Sequence, residues 1–254
     1  MTILKIIEVK DYDEMSKRAA EYIIDKIKST PQLNLGLATG GTPKGVYQNL
    51  IEDYYQHHTS YSQIKSFNLD EYIGLNKDDP NSYFHYMNEH LFKHIDISLD
   101  NTHIPSGTNE NTQAECEEYE QKIINAGGID LQILGIGANG HIGFNEPGTS
   151  FQSKTHVVDL APSTRKANAR FFNSLEEVPT HAITMGIQTI FKSREILLLA
   201  SGKAKQQAMV QLLSGEVTES FPASILNHHQ NTVVIADEEA LLAVKEKSLN
   251  NTLD

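Results

Sequence analysis

Short runs rich in Ile, Val and Leu, alternating with stretches of helical periodicity, constrain this chain more than any other feature. The runs are Leu4–Val9, Asn34–Ala38, Ile64–Leu69, Leu131–Gly135, Ala182–Met185, Glu195–Ala200 and Thr232–Ile235. Between them lie amphipathic stretches at Met15–Ile27, Pro43–Tyr55, Ser82–Phe92, Gln113–Ile124, Lys203–Leu213 and Glu238–Lys247. In the first stretch, Met15, Ala19, Tyr22, Ile23 and Ile27 share one helical stripe. Strands that are apolar almost throughout are buried on both sides, and strands bracketed by helices form a parallel sheet covered on both faces. An α/β fold is therefore expected. No internal repeat, low-complexity tract or Pro/Ser-rich linker interrupts the alternation, so it reads as one domain.

Composition narrows the class. At 39% hydrophobic residues over 254 positions, the chain can build a sizeable core. It lacks the ~18 consecutive apolar residues of a membrane span. The apolar start, Ile3-Leu4 and Ile6-Ile7, is broken by Lys5 and followed by Glu8, Lys10, Asp11 and Asp13, unlike a secretory signal. Cys116 is the only cysteine, which rules out an internal disulfide, and a cytoplasmic protein is expected. A formal net charge of −12 opposes nucleic-acid binding. An anionic ligand would have to be held by a few cations and backbone N–H groups against that field.

Open α/β sheets bind ligands at the carboxyl ends of their strands, so the residues just beyond each strand are the ones to read. After the Asn34 run comes Ala38-Thr39-Gly40-Gly41-Thr42-Pro43. Two glycines allow close backbone approach, and the next helix offers free N–H groups and a partial positive charge to an anion. It is not a Walker A loop, since Val46 stands after Gly45. Asn68-Leu69-Asp70-Glu71-Tyr72 puts two acids at a strand end, where either a catalytic carboxylate or a cap could stand. Gly135, Gly137 and Gly140 spell G-x-G-x-x-G, but the residues from His141 to Pro147 are irregular, whereas a dinucleotide fingerprint opens a helix there. What remains is a glycine-rich loop carrying His141, with Asn139 before it and Glu146 able to reach back and orient its ring. Arg170 and Lys203 are candidate phosphate cations. The acidic stretch Glu115, Glu117, Glu118, Glu120 reads as a solvated helix face, and the pairs His57-His58 and His228-His229 as surface. No metal site is expected.

Together these segments resemble the glucosamine-6-phosphate deaminase family. The matching strings are TGGTP at Thr39–Pro43, LDEY at Leu69–Tyr72, GHIGFNEP at Gly140–Pro147, NARFF at Asn168–Phe172 and SGKA at Ser201–Ala204. The resemblance implies a single-domain, modified Rossmann-like, mainly parallel sheet, and conversion of glucosamine 6-phosphate and water to fructose 6-phosphate and ammonium without a cofactor. It implies Asp70 as the base between C2 and C1 and His141 as the ring-opening group, supported by Glu146 and by Asn139, which stands where some relatives carry Asp. Thr39, Gly40, Gly41, Thr42, Arg170 and Lys203 would hold the phosphate, and a mobile lid would fall around Leu160–Ile183. Allosteric relatives carry basic residues where His156 and Val158 stand here, so activation by N-acetylglucosamine 6-phosphate is expected to be weak or absent. The rivals are a 6-phosphogluconolactonase-like hydrolase and a non-catalytic sugar-phosphate sensor. The first needs no base for a C2 hydrogen. The second has no use for Asp70, His141 and Glu146, and it would carry a DNA-binding module that is not seen before Asn34.

Overall fold

The computed structural model describes residues 4–162, 165, 166, 169, 172 and 174–250. Its main sheet is built from β1 (Lys5–Val9), β2 (Asn34–Leu37), β3 (Lys65–Asn68), β5 (Thr102–His103), β6 (Leu131–Gly135), β9 (Glu195–Ala200) and β10 (Thr232–Asp237). These seven strands are all paired in parallel, in the order β1-β10-β9-β6-β2-β3-β5. The described helices are α1 (Tyr12–Ser29), α2 (Lys44–His57), α3 (Tyr83–His90), α4 (Thr112–Asn125), α5 (Ile187–Phe191), α6 (Gln206–Leu213) and α7 (Glu238–Asn250).

Side-chain alternation sorts the sheet into two cores. Leu35, Leu37, Ile133, Leu197, Leu199 and Ile235 pack against Met15, Ile23, Tyr47 and Leu50 of α1 and α2. Phe67, Leu134, Ile196, Leu198 and Val234 pack on the opposite face against Tyr119, Ile190, Met209 and Leu241 of α4 to α7. Helices therefore cover both faces, as the apolar runs require.

The strand order fixes the site. From β2 the chain steps outward through β3 to β5, then returns to β6 and steps the other way through β9 to β10. The reversal leaves a crevice between the carboxyl ends of β2 and β6, where ligands bind in open α/β sheets.

The structure corrects several expectations. The apolar run at residues 182–185 predicts a strand of the main sheet. His181–Thr184 (β8) instead joins Asp70–Tyr72 (β4) and His156–Asp159 (β7) in a separate antiparallel sheet, ordered β4-β8-β7. The last residues of the expected lid, His181–Ile183, thus lie in a paired strand. The acidic face of α4 is only half solvated. Glu115 is buried and accepts from Ser106 N and Asn109 Nδ2, while Glu120 accepts from Thr155 and Thr189. His229 is also buried, with Nε2 bonded to the Ser193 carbonyl at 2.8 Å.

Candidate active site

The loops after β2 and β6 meet across the crevice, so closely that a Cβ on Gly135 would lie 3.8 Å from Thr42 Oγ1. Gly40 has φ +95°, a left-handed conformation that favours glycine. Its carbonyl accepts from Tyr86 Oη at 2.6 Å, and that of Gly41 accepts from Tyr12 Oη at 2.9 Å. Open space lies where a Cβ at Gly40 or Gly41 would stand, because the loop borders a cavity of about 980 Å³.

The G-x-G-x-x-G spacing has a packing explanation. A Cβ at Gly137 would occupy the position of the His141 ring, and one at Gly140 that of the Phe221 ring. The loop closes on itself through Gly137 N to His141 O, and no helix opens from Gly140. The glycines seat a histidine rather than a pyrophosphate.

Asp70 opens β4, directly after β3, and is buried against the cavity. Burial, and then the neighbouring charge of Glu71, push its carboxyl up to about 8. Glu71 points the other way, as alternation along a strand demands. Its Oε1 accepts from the N–H groups of Tyr72 and Tyr83 at 2.8 and 2.9 Å, and its Oε2 from Phe84 N at 3.0 Å. Glu71 therefore ties β4 to the first turn of α3. At ~1–3 kcal/mol for a buried donor left unmade, and with the bond from Tyr72 N buried and those from Tyr83 N and Phe84 N part-buried, Glu71→Ala is expected to cost about 1–3 kcal/mol, read as a lower urea midpoint at unchanged slope.

His141, Asn139 and Glu146 form a chain with a fixed direction. Asn139 Nδ2 donates to Glu146 Oε2 at 2.7 Å, and Asn139 Oδ1 stands 2.8 Å from His141 Nδ1. A carboxylate can only accept, so the asparagine NH₂ faces Glu146 and its oxygen faces the ring, which must supply an Nδ1–H. Nε2 is then the unprotonated nitrogen of a neutral imidazole. The expectation that Glu146 itself orients the ring is thereby revised: its Oε2 lies 3.7 Å from Nδ1, and Asn139 stands between them in the hydrogen-bond chain. Burial lowers the His141 pKa, Glu146 opposes that shift, and Lys205 adds to it.

Other side chains surround the cavity. Tyr72, Tyr83, Phe144 and Phe172 make an aromatic wall beside Asp70, with the Tyr83 and Phe144 rings stacked at 6.2 Å. Tyr83 Oη donates to Tyr72 Oη at 3.2 Å. Thr184, register partner of Asp70, accepts from Phe144 N at 3.1 Å and holds the wall over the base strand.

The expected phosphate cations fare differently. Lys203 is exposed and does not line the cavity; Lys205, two residues on, does, and burial lowers its pKa. The sequence offers both lysines, and the 3-10 turn over Lys203–Lys205 selects the second. Arg170 lies outside the described residues. Thr39, Gly40, Gly41 and Thr42 all border the cavity with Asp70 and His141.

Known proteins are similar to this chain in sequence and in fold. Residues 10–235 match the model of a family described as glucosamine-6-phosphate isomerases/6-phosphogluconolactonase. A glucosamine-6-phosphate deaminase of Halalkalibacterium halodurans is 60% identical over 245 residues, covering 96% of this chain and 100% of that one. One from Clostridium botulinum (strain Okra / Type B1) is 51% identical over 244 residues, with 96% and 100% covered. A solved monomeric glucosamine-6-phosphate deaminase superposes with a TM-score of 0.93 at 51% identity, covering 94% of this chain and 100% of that one. The 6-phosphogluconolactonase from Trypanosoma cruzi, with a TM-score of 0.78 at 21% identity over 95% and 97% of the two chains, shares the fold. A model match spanning most of the chain, together with relatives this similar over their full length, makes the chain a member of the glucosamine-6-phosphate isomerase/6-phosphogluconolactonase family.

Proposed function

We propose that the chain converts glucosamine 6-phosphate and water to fructose 6-phosphate and ammonium, with Asp70, His141, Asn139 and Glu146 as its catalytic group. The observation that carries this reading is the 60% identity to a glucosamine-6-phosphate deaminase along the whole of that relative. The lactonases among the solved structures stand at 18–24% identity and share only the fold. A buried carboxylate and a neutral imidazole lining one cavity also suit a reaction that breaks a C–H bond, which lactone hydrolysis does not.

The chemistry follows from the residues. The pyranose has no carbonyl, so the ring must open first, by moving a proton from the anomeric hydroxyl to the ring oxygen. The free Nε2 of His141 accepts that proton and returns it, while Asn139 and Glu146 hold the tautomer. The aldehyde then acidifies the C2 hydrogen, and ionised Asp70 removes it. Return of the proton to C1, with an amine proton passing to O1, leaves a C1 hydroxyl and an imine at C2, which water hydrolyses to release ammonia. Thr39, Gly40, Gly41, Thr42 and Lys205 hold the phosphate, together with Arg170. The phosphate is remote from the reacting carbons and supplies positioning. No step calls on a nucleotide or electron carrier.

The test is an assay on two substrates. Ammonium and fructose 6-phosphate are expected in equal amounts from glucosamine 6-phosphate, with negligible acid from 6-phosphogluconolactone; the reverse preference would overturn the proposal. A base must be ionised to act, so a carboxyl raised to about 8 predicts that kcat/KM falls with unit slope below roughly pH 8. An acid limb near pH 4 would mean that the base is an ordinary exposed carboxylate. Rate against substrate is expected to be hyperbolic with and without N-acetylglucosamine 6-phosphate, because His156 and Val158 offer no fixed cation. A sigmoidal curve made hyperbolic by that compound would contradict this.

A further inference from the structure

Asp237, the last residue of β10, is 3% exposed and touches no part of the cavity. Its Oδ1 accepts from Ala240 N at 2.8 Å, which is all that a cap on α7 requires. Its other bonds run elsewhere. Oδ2 accepts from the Ser201 hydroxyl, and both oxygens lie 3.0 Å from Gly202 N. Ser201 and Gly202 come directly after β9 and begin the turn that carries Lys205 to the cavity. Gly202 holds φ +87°, and its carbonyl accepts from Lys205 N at 3.0 Å. A second tie runs in parallel, from Gln206 Nε2 to the Glu239 carbonyl at 2.8 Å.

One buried carboxylate thus locks the turn after β9 to the end of the neighbouring strand. Bonds from backbone N–H and hydroxyl to an ionised acceptor are short and about twice as strong as neutral ones. A lysine that is partly desolvated gains nothing from a floppy base, since its ammonium must meet the phosphate without searching.

We propose that Asp237 is a positioning residue for substrate phosphate, acting through the Ser201–Gly202 turn on Lys205. This rests on the reading of Lys205 as a phosphate cation. Asn at 237 keeps the shape but must turn an NH₂ toward Ser201 or Gly202, where the carboxylate accepts on both oxygens.

The experiment compares wild type, Asp237→Asn, Lys205→Met and the double variant for KM, kcat and competitive inhibition by inorganic phosphate. Asp237→Asn is expected to raise KM and the phosphate inhibition constant together by roughly tenfold, with kcat falling less than about threefold. In the Lys205→Met background, the same substitution is expected to change the phosphate constant by less than about twofold, because a residue that acts through a lysine has no effect without it. A phosphate constant that rises in Lys205→Met but not in Asp237→Asn overturns the positioning role and leaves the phosphate reading intact. A constant unmoved in Lys205→Met overturns the phosphate reading itself. Additive effects in the double variant would mean that Asp237 acts on the fold and not on the lysine. If Asp237→Asn does not fold, Ser201→Ala, which removes one of the bonds, carries the same comparison with an expected rise of about threefold; no rise would overturn the proposal.

Discussion

Asp70→Asn is expected to lose turnover by about 10²–10⁴-fold while binding substrate almost as well as wild type. The substitution keeps the shape of the side chain and removes only its ability to take a proton. The base strand stays in place, because β4 is held by pairing to β8 and by Glu71 on α3, neither of which uses the Asp70 carboxyl. Steady-state rates with a calorimetric Kd separate the two effects. A variant with weakened binding and intact kcat would move Asp70 from proton transfer to recognition.

The same substitution carries a stability signature of known sign. The native chain holds the Asp70 proton up to about pH 8, whereas an unfolded aspartic acid releases it near 3.8. Across that window the native state binds more protons than the unfolded one. Raising the pH therefore costs about 1.4 kcal/mol per unit at this site. Asparagine stays neutral throughout. The melting temperature of Asp70→Asn is expected to rise relative to wild type as the pH goes from 4 to 8, with the gap closing below pH 4. A gap that does not change with pH would mean that the native carboxyl is not a weak acid. The stability cost of burying this group is the counterpart of its strength as a base.

His141→Gln is expected to lower kcat by about 10²–10⁴-fold with KM changed less than about threefold. Glutamine keeps a polar group in the space that Gly137 leaves open but offers no nitrogen that can take and return a proton. Residual activity would reflect spontaneous ring opening, and so would not follow the wild-type pH profile. Loss in KM alone would make His141 a binding residue.

The centre of the main sheet is legible in the sequence because strands such as β6, β9 and β10 are buried along nearly their whole length and are mostly apolar, whereas β5, only Thr102-His103 at the edge, gives no apolar run and is missed. Leu131–Gly135 and Glu195–Ala200 stand where such runs fall. The small sheet is not. Asp70–Tyr72 is short and mostly polar, and His156–Asp159 alternates between exposed and half-buried positions, so neither shows a continuous apolar run. Glu115 and Glu120 look solvated in sequence because their partners, at Ser106, Asn109, Thr155 and Thr189, reach them only through the fold.

The site is legible in its motifs and less so in its wiring. Thr39, Gly40, Gly41, Thr42, Asp70 and His141 all stand just beyond the ends of strands that the sequence predicts, and all border one cavity. Whether Asp70 or Glu71 faces that cavity depends on strand register, which one sequence does not fix. The sequence points to Lys203 as the cation because that residue follows a strand directly, and it does not show that a 3-10 turn over Lys203–Lys205 leaves Lys205 on the cavity. Asn139 looks in sequence like a lost charge, whereas its amide can meet a carboxylate in only one orientation, and that sets the tautomer of His141.

If Asp70 moves the C2 hydrogen of glucosamine 6-phosphate, a deuterium label placed at C2 reports that transfer. With wild type the label is expected to leave C2 in step with ammonium release. With Asp70→Asn it is expected to remain at C2, leaving at least about 10²-fold more slowly. Loss of the label at the wild-type rate in the variant would contradict the assignment.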